Sequence, residues 1–262
     1  MAITTTTTIT PMTMTTITIM AIPTATITPM TADGALGESG LYRLMTWLSP
    51  GFPVGAFGYS HGVEYAIEAG LVADGAGLRR WIEGIVGHGA GRIDADLFRD
   101  TWRAVAGAGD LAPTVERANA TRGSREMALE STAQGTAFLD TVLGTAADPA
   151  VLDAMRHLSA IDRRPAYAVA VAVAAASIRV PLRPALTAFL HALAANLVSA
   201  AVRIVPLGQS DGQRALAGLE PAIIAAVAAS LSRDPDDFGA AAPMVDWCSM
   251  QHETQYTRLF RS

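Results

Sequence analysis

The residues most able to bind metal or move protons near neutral pH are five histidines, at 61, 88, 157, 191 and 252, and a lone cysteine, Cys248. None of the histidines falls into an HxH or HExxH spacing, so no zinc-peptidase helix is encoded. Cys248 and His252 stand four apart and can share a helical face, but two ligands are too few to close a zinc site. His88 with Asp94 and Asp96 is a weaker constellation, and His191 sits in the apolar run ALTAFLHALAANLVSAAV, where a core histidine is expected. Acidic pairs such as Asp94–Asp96 and Asp236–Asp237 read as caps or solvated loops. GHGAGR (87–92) has a glycine rhythm, but it follows an amphipathic helix instead of a strand, so it reads as a helix–helix turn. No Ser/His/Asp or Cys/His set stands out, and the expectation is no catalytic residue, no resident metal and no cofactor.

Composition narrows the classes further. All 19 basic residues are arginine, which removes Schiff-base lysine chemistry and the phosphate-binding lysine of a P-loop. The net charge of −5 argues against a nucleic-acid footprint. One cysteine in 262 residues excludes an intramolecular disulfide and fits a reducing, cytoplasmic setting.

The elements that must position these residues read as helices. Hydrophobic residues make up 50% of the chain and aromatics 6%, so alanine and aliphatic side chains build the core. Residues 1–38 form a separate Thr/Met/Ile-rich stretch broken by prolines and uncharged before Asp33, expected to be disordered. From residue 39 one all-α domain is expected, running to 262 as a helical bundle without internal repeats. Ser39 caps its first helix, Ser60 a short helix stopped by Gly70, and Asp74 the next, with Leu78, Trp81, Ile82 and Ile85 on one face. Further helices are expected at 92–107, 112–121, 124–143, 149–159 (with Pro149 in its first turn), 165–179, 184–204 and 213–232. The apolar stretches at 166–178 and 185–202 fall short of the ~20 residues of a membrane span or carry polar groups within it, so both read as core.

Two stretches stand apart from this bland background. SPGFPVGAFGYSHGVE (49–64) concentrates Phe52, Phe57 and Tyr59 in a loop restricted by proline and bent by glycine, a suitable contact surface. MQHETQYTRLFRS (250–262) crowds aromatic, amide and arginine side chains at the other end.

These stretches, with VPLGQSDGQ (205–213), resemble the UreF family of urease accessory proteins. The opening signature SPxxPVGxFxYSHGxE is matched by Ser49, Pro50, Pro53, Val54, Gly55, Phe57, Tyr59, Ser60, His61, Gly62 and Glu64. The family terminus resembles SMRHETQYSRLFRS, and here it reads SMQHETQYTRLFRS. Gly58, Gln251 and Thr257 depart from the pattern, and the similarity covers about residues 40–262.

The resemblance implies an all-helical, dimer-forming, non-enzymatic adaptor. It would bridge UreD (also called UreH) and the GTPase UreG and deliver nickel to apo-urease. A second reading is a regulator of GTP hydrolysis by UreG. Partner contacts are expected at Pro53, Gly55, Phe57, Tyr59, Ser60, Glu64, Gln209, His252, Glu253, Gln255, Tyr256, Arg258 and Phe260. Glu64 is expected on a helix surface, and 252–262 is expected to be a docking segment that orders on a partner.

Overall fold

The computed structural model describes residues 35–205 and 207–262. The expected tail lies, up to residue 34, outside them. Among the described residues there are twelve α-helices and no strand. They are α1 (Glu38–Trp47), α2 (Val63–Glu68), α3 (Gly75–His88), α4 (Ala90–Ala106), α5 (Ala112–Ala120) and α6 (Arg125–Thr145). There follow α7 (Pro149–Ile161), α8 (Tyr167–Ser177), α9 (Leu182–Val202), α10 (Gln209–Gly218), α11 (Glu220–Ser232) and α12 (Pro243–His252).

The bundle is built around α8, whose residues Ala168 to Ala176 are all buried. Its alternating Ala and Val present small side chains on every face, so α4, α6, α7 and α9 can all pack against it. On α6 this closeness requires Gly135, because a Cβ there would meet the Pro165 carbonyl oxygen at 1.9 Å. Larger side chains fill the seams. Phe138 is fully buried and contacts the rings of Trp47, Phe52 and Tyr167.

Helix starts follow local chemistry. Asp74 accepts from the Gly77 amide at 2.7 Å, Ser124 from Met127 at 3.1 Å, and Asp148 precedes Pro149 while accepting from Ala150 at 3.0 Å. Gly70 takes the left-handed conformation that ends the short helix.

Several expectations are corrected. α1 begins at Glu38, so Ser39 lies inside it and Gly37 stands at the cap without a side chain to offer. α2 begins at Val63, and Ser60 receives the Glu64 amide at 3.3 Å from outside the helix. The expected helix 213–232 is two, broken at Leu219, where Pro221 opens α11. Leu182–Val202 is long and apolar enough to cross a membrane by length and composition, and half of it is buried within the bundle. His191 is exposed on α9 instead of buried. Trp81 is only partly buried, whereas Leu78, Ile82 and Ile85 are core.

The Asp94–Asp96 pair belongs to α4 instead of a cap or loop. Asp96 is fully buried, accepts from Ser230 at 2.8 Å and from Arg233 at 2.7 and 2.8 Å, and stands 3.5 Å from Arg99. This ionic seam ties α4 to α11. Asp237, by contrast, is largely exposed and pairs with Arg92 at 2.9 Å.

Candidate partner-binding site

The two distinctive ends of the sequence meet. The turn that leads from the 49–58 loop into α2 carries His61 at φ 58° and Gly62 at φ 76°. Gly62 is required twice, because a Cβ there would also stand 2.9 Å from the Ser249 amide nitrogen of α12. That close approach lets α12 lie against α2 and brings the terminal segment over Ser60 and Glu64.

Glu64 sits at the centre of this clasp, only 6% exposed. One carboxylate oxygen accepts from the Leu259 amide at 2.7 Å, and the other accepts from the Phe260 amide at 2.9 Å and faces His252 Nε2 at 3.0 Å. The opposite ring nitrogen, His252 Nδ1, faces Glu126 Oε2 at 2.6 Å, and Arg258 donates to Glu126 Oε1 at 2.8 Å. Carboxylates accept only, so His252 satisfies both neighbours when both nitrogens donate.

A second layer repeats the design. His61 Nδ1 faces Glu130 at 3.2 Å, and Glu130 also accepts from Ser262 Oγ at 2.7 Å and Gln134 at 3.3 Å. Ser60 donates through both its amide and its hydroxyl to the Ser262 main-chain oxygen, the amide at 2.8 Å. Burial alone would push the His61 imidazole down, but the opposing Glu130 carboxylate outweighs it and holds the pKa above the ordinary histidine value. Asp94 adds to that effect and Arg122 subtracts from it. Burial likewise pushes Glu130 up, and His61, Ser262 and Arg122 together outweigh it and hold the carboxyl below its ordinary value.

The terminal segment is thus folded onto its own chain, and the expected free docking segment is corrected. Short peptide ends stay loose without partners, but this one satisfies three buried carboxylates that face it from α2 and α6. The expected surface position of Glu64 is corrected for the same reason. Of the expected contact residues, Tyr59, Ser60, Glu64, His252 and Phe260 are buried in the clasp. Pro53, Gly55, Phe57, Gln209, Tyr256 and Arg258 are exposed, and Glu253 and Gln255 are half-buried. Glu253 receives the Arg125 amide at 3.1 Å, and Gln255 donates to Glu68. Gln209 stands apart, opening α10.

Sequence reasoning missed Glu126, Glu130 and Gln134, which form a buried polar stripe at four-residue spacing along α6. That spacing was the available signal, since three polar residues on one face of a helix otherwise flanked by Met127, Phe138 and Leu139 need partners. Cys248 makes no clip with His252, whose two nitrogens are taken. Burial pushes its thiol up to about 11. Among the described residues no group of three or more His, Cys, Asp and Glu side chains is arranged to hold a metal ion.

Around this internal clasp lies a collar of exposed apolar residues. Tyr256 is entirely exposed, Phe57 is 71% and Leu259 63% exposed, and Met244, Trp247 and Met250 of α12 are exposed as well. The residues brought together here form a buried polar centre in an all-α protein, with aromatic and aliphatic groups exposed on the same segments.

Comparison with known proteins assigns the family. Residues 72–220 match the UreF family model. The chain is 48% identical over 243 residues to a urease accessory protein UreF of Rhodopseudomonas palustris strain HaA2, covering 92% of this chain and all of that protein. It is also 48% identical over 226 residues to the urease accessory protein UreF of Bradyrhizobium diazoefficiens, covering 86% of this chain and 92% of that one. The chain belongs to the UreF family.

Proposed function

We propose that this chain works in urease maturation as a non-enzymatic cytoplasmic adaptor. It bridges UreD and the GTPase UreG, acts as a homodimer, and serves nickel delivery to apo-urease with the metal as cargo. Family membership supports the role in maturation. The observation that carries the adaptor reading is the exposed collar of Phe57, Tyr256 and Leu259 mounted on a buried ionic clasp. Aromatic residues held in place before binding lose little conformational entropy on docking, which is what makes them strong interface anchors. Pro53, Gly55 and Arg258 are exposed on the same two segments, and we assign the UreD-type partner to them.

The test is capture of UreD and UreG by the purified chain, followed by urease activation in cells lacking this gene. Phe57→Ala with Tyr256→Ala should leave the fold intact, abolish UreD capture and stop activation. Full capture by that double variant would end the assignment of UreD to the collar. GTP turnover by UreG with and without this chain separates an adaptor, which leaves the rate unchanged, from a regulator.

A further inference from the structure

Helices α1, α9, α10 and α11 line a groove of about 870 Å³, and none of its lining residues belongs to the clasp. Ala188 and Ala192, one turn apart on α9, contribute only methyl groups, which leaves the space open. Leu41 and Met45 of α1 and Ile224 of α11 border it while 47%, 65% and 52% exposed. Apolar side chains gathered around one groove and left open to water mark a surface that something covers. Arg183 and Glu220 are its charged side chains, of opposite sign. With His191 neutral, the groove has no net charge with which to select a charged occupant.

Leu36 also lines the groove, and only Ala35 separates it from residues 1–34. The chain outside the described residues therefore ends at this surface. Composition alone predicts disorder for that stretch, but a groove at its exit gives part of it somewhere to bind. From Ile17 to Ala32 it carries no charge, and Ile17, Ile19, Met20, Ile22, Ile27 and Met30 supply branched and flexible apolar groups. Pro23 and Pro29 have no amide proton, so two donors that an apolar surface would leave unpaired are missing. A segment tethered within a few residues of its site stands at an effective concentration on the order of 1 mM, so a weak apolar match suffices. A second molecule must first give up its translational freedom.

We propose that residues 17–32 of the same chain cover this groove, with their Ile and Met side chains against Leu41, Met45 and Ile224. The contact keeps an exposed apolar face from associating at random. It makes the N-terminal stretch an internal ligand of the bundle, held by residues other than those assigned to UreD.

The experiment labels the full chain at methionine ε and isoleucine δ1 methyl groups and reads nuclear Overhauser contacts. Contacts from the Met20 and Met30 methyls to Ile223 and Met45 are expected. They should persist when labelled chain is mixed with an excess of unlabelled chain and left to exchange subunits. Ile224→Glu sets a charge against the segment and should shift the equilibrium toward release by about tenfold or more, with loss of the contacts. Ile224 is half-exposed, so the bundle should stand. Met20→Asp with Ile22→Asp alters only the segment and serves as the second variant if the first does not fold. It should remove the Met30 contacts and raise the fluorescence of an apolar dye added to the chain. No contacts in the wild-type chain, contacts that fade on mixing with unlabelled chain because a second copy supplies them, or contacts unchanged in either folded variant would each overturn the proposal.

Discussion

Two buried ionic centres hold this bundle together; one uses arginine alone, and the other adds histidine to it. At the α4–α11 seam, Asp96 is bound by Arg99 and Arg233. At the clasp, Glu64, Glu126 and Glu130 surround His252 and His61. Arginine as a residue type keeps its proton across the physiological range, whereas imidazole gives it up near neutrality. The seam is therefore a permanent weld between two helices. The clasp joins a terminal segment to the bundle, and its His61–Glu130 pair is one whose strength depends on pH.

The largest effects should come from cutting either centre. Removing one partner of a buried ion pair leaves an uncompensated charge, at a cost of about 3–5 kcal/mol. Asp96→Ala and Glu64→Ala should each lose stability on that scale in urea unfolding. They should differ in where the damage falls. Glu64→Ala should expose the Leu259 and Phe260 amides to hydrogen exchange, and Asp96→Ala should leave them protected. Equal protection of the two amides in both variants would show that Glu64 does not hold the terminal segment. Deleting residues 252–262 should destabilise at least as much as Glu64→Ala, because it strips partners from three buried carboxylates at once.

A smaller effect should separate the centres by pH. His61 has its pKa raised in the folded chain, so the stability it contributes is complete below the ordinary value of 6.5 and is lost as pH rises through the raised value. Glu130 is held below its ordinary 4.5, so its contribution is complete above that value and is lost as pH falls through the lowered one. The His61–Glu130 pair should be strongest between these limits. The groups facing His61 are Glu130 on α6, Asp94 on α4, Asp246 on α12 and Arg122 in the loop before α6. Glu130→Gln removes the main one, so the alkaline loss of stability should shrink in that variant. An unchanged profile of melting temperature between pH 6 and 9 would contradict the assignment to this pair.

Gly62→Ala should cost about 1–3 kcal/mol, since it combines a left-handed φ with a clash against the Ser249 backbone. Gly70→Ala, with the same sign of φ but open space around it, should cost less. Paired unfolding curves for the two variants isolate what the approach of α12 adds to the backbone strain.

The contrast between weld and clasp also explains what could be read in the sequence. Helices that bury an aliphatic stripe and start on Asp74 or on Asp148 with Pro149 were legible, because cap chemistry and periodicity are local, while Ser39 and Ser60 mimicked caps close to the true ones at Gly37 and Gly62. α12 was not, because its buried face is Val245, Cys248, Ser249 and His252, a pattern with little hydrophobic contrast. The break at Leu219 was hidden by continuous apolar composition, although Pro221 marked it. His191 was misjudged from apolar neighbours in sequence, while the buried face of α9 runs through Leu186, Leu190, Ala194 and Leu197. The two end motifs were recognisable as a pair. Their mutual contact was not, because pairing Glu64 with amides nearly two hundred residues away is a property of the fold alone.

The smallest effect on stability should come at Tyr256, and it bears most directly on function. Its side chain is fully exposed, and no ring partner or hydrogen bond ties it to the bundle among the described residues. Replacing it with alanine should change the unfolding free energy by about 0.5 kcal/mol or less. Yet the backbone that presents it is pinned on both sides, by His252 through Glu64 and Glu126, and by the Leu259 and Phe260 amides through Glu64. An exposed aromatic presented this way supports the proposal that UreD docks here. Tyr256→Ala should therefore weaken UreD capture by about tenfold or more while leaving the melting curve in place. Should Tyr256→Ala bind UreD normally while Glu64→Ala does not, the clasp would be needed for binding through some other part of the collar, and Phe57 and Leu259 would be the residues to change next.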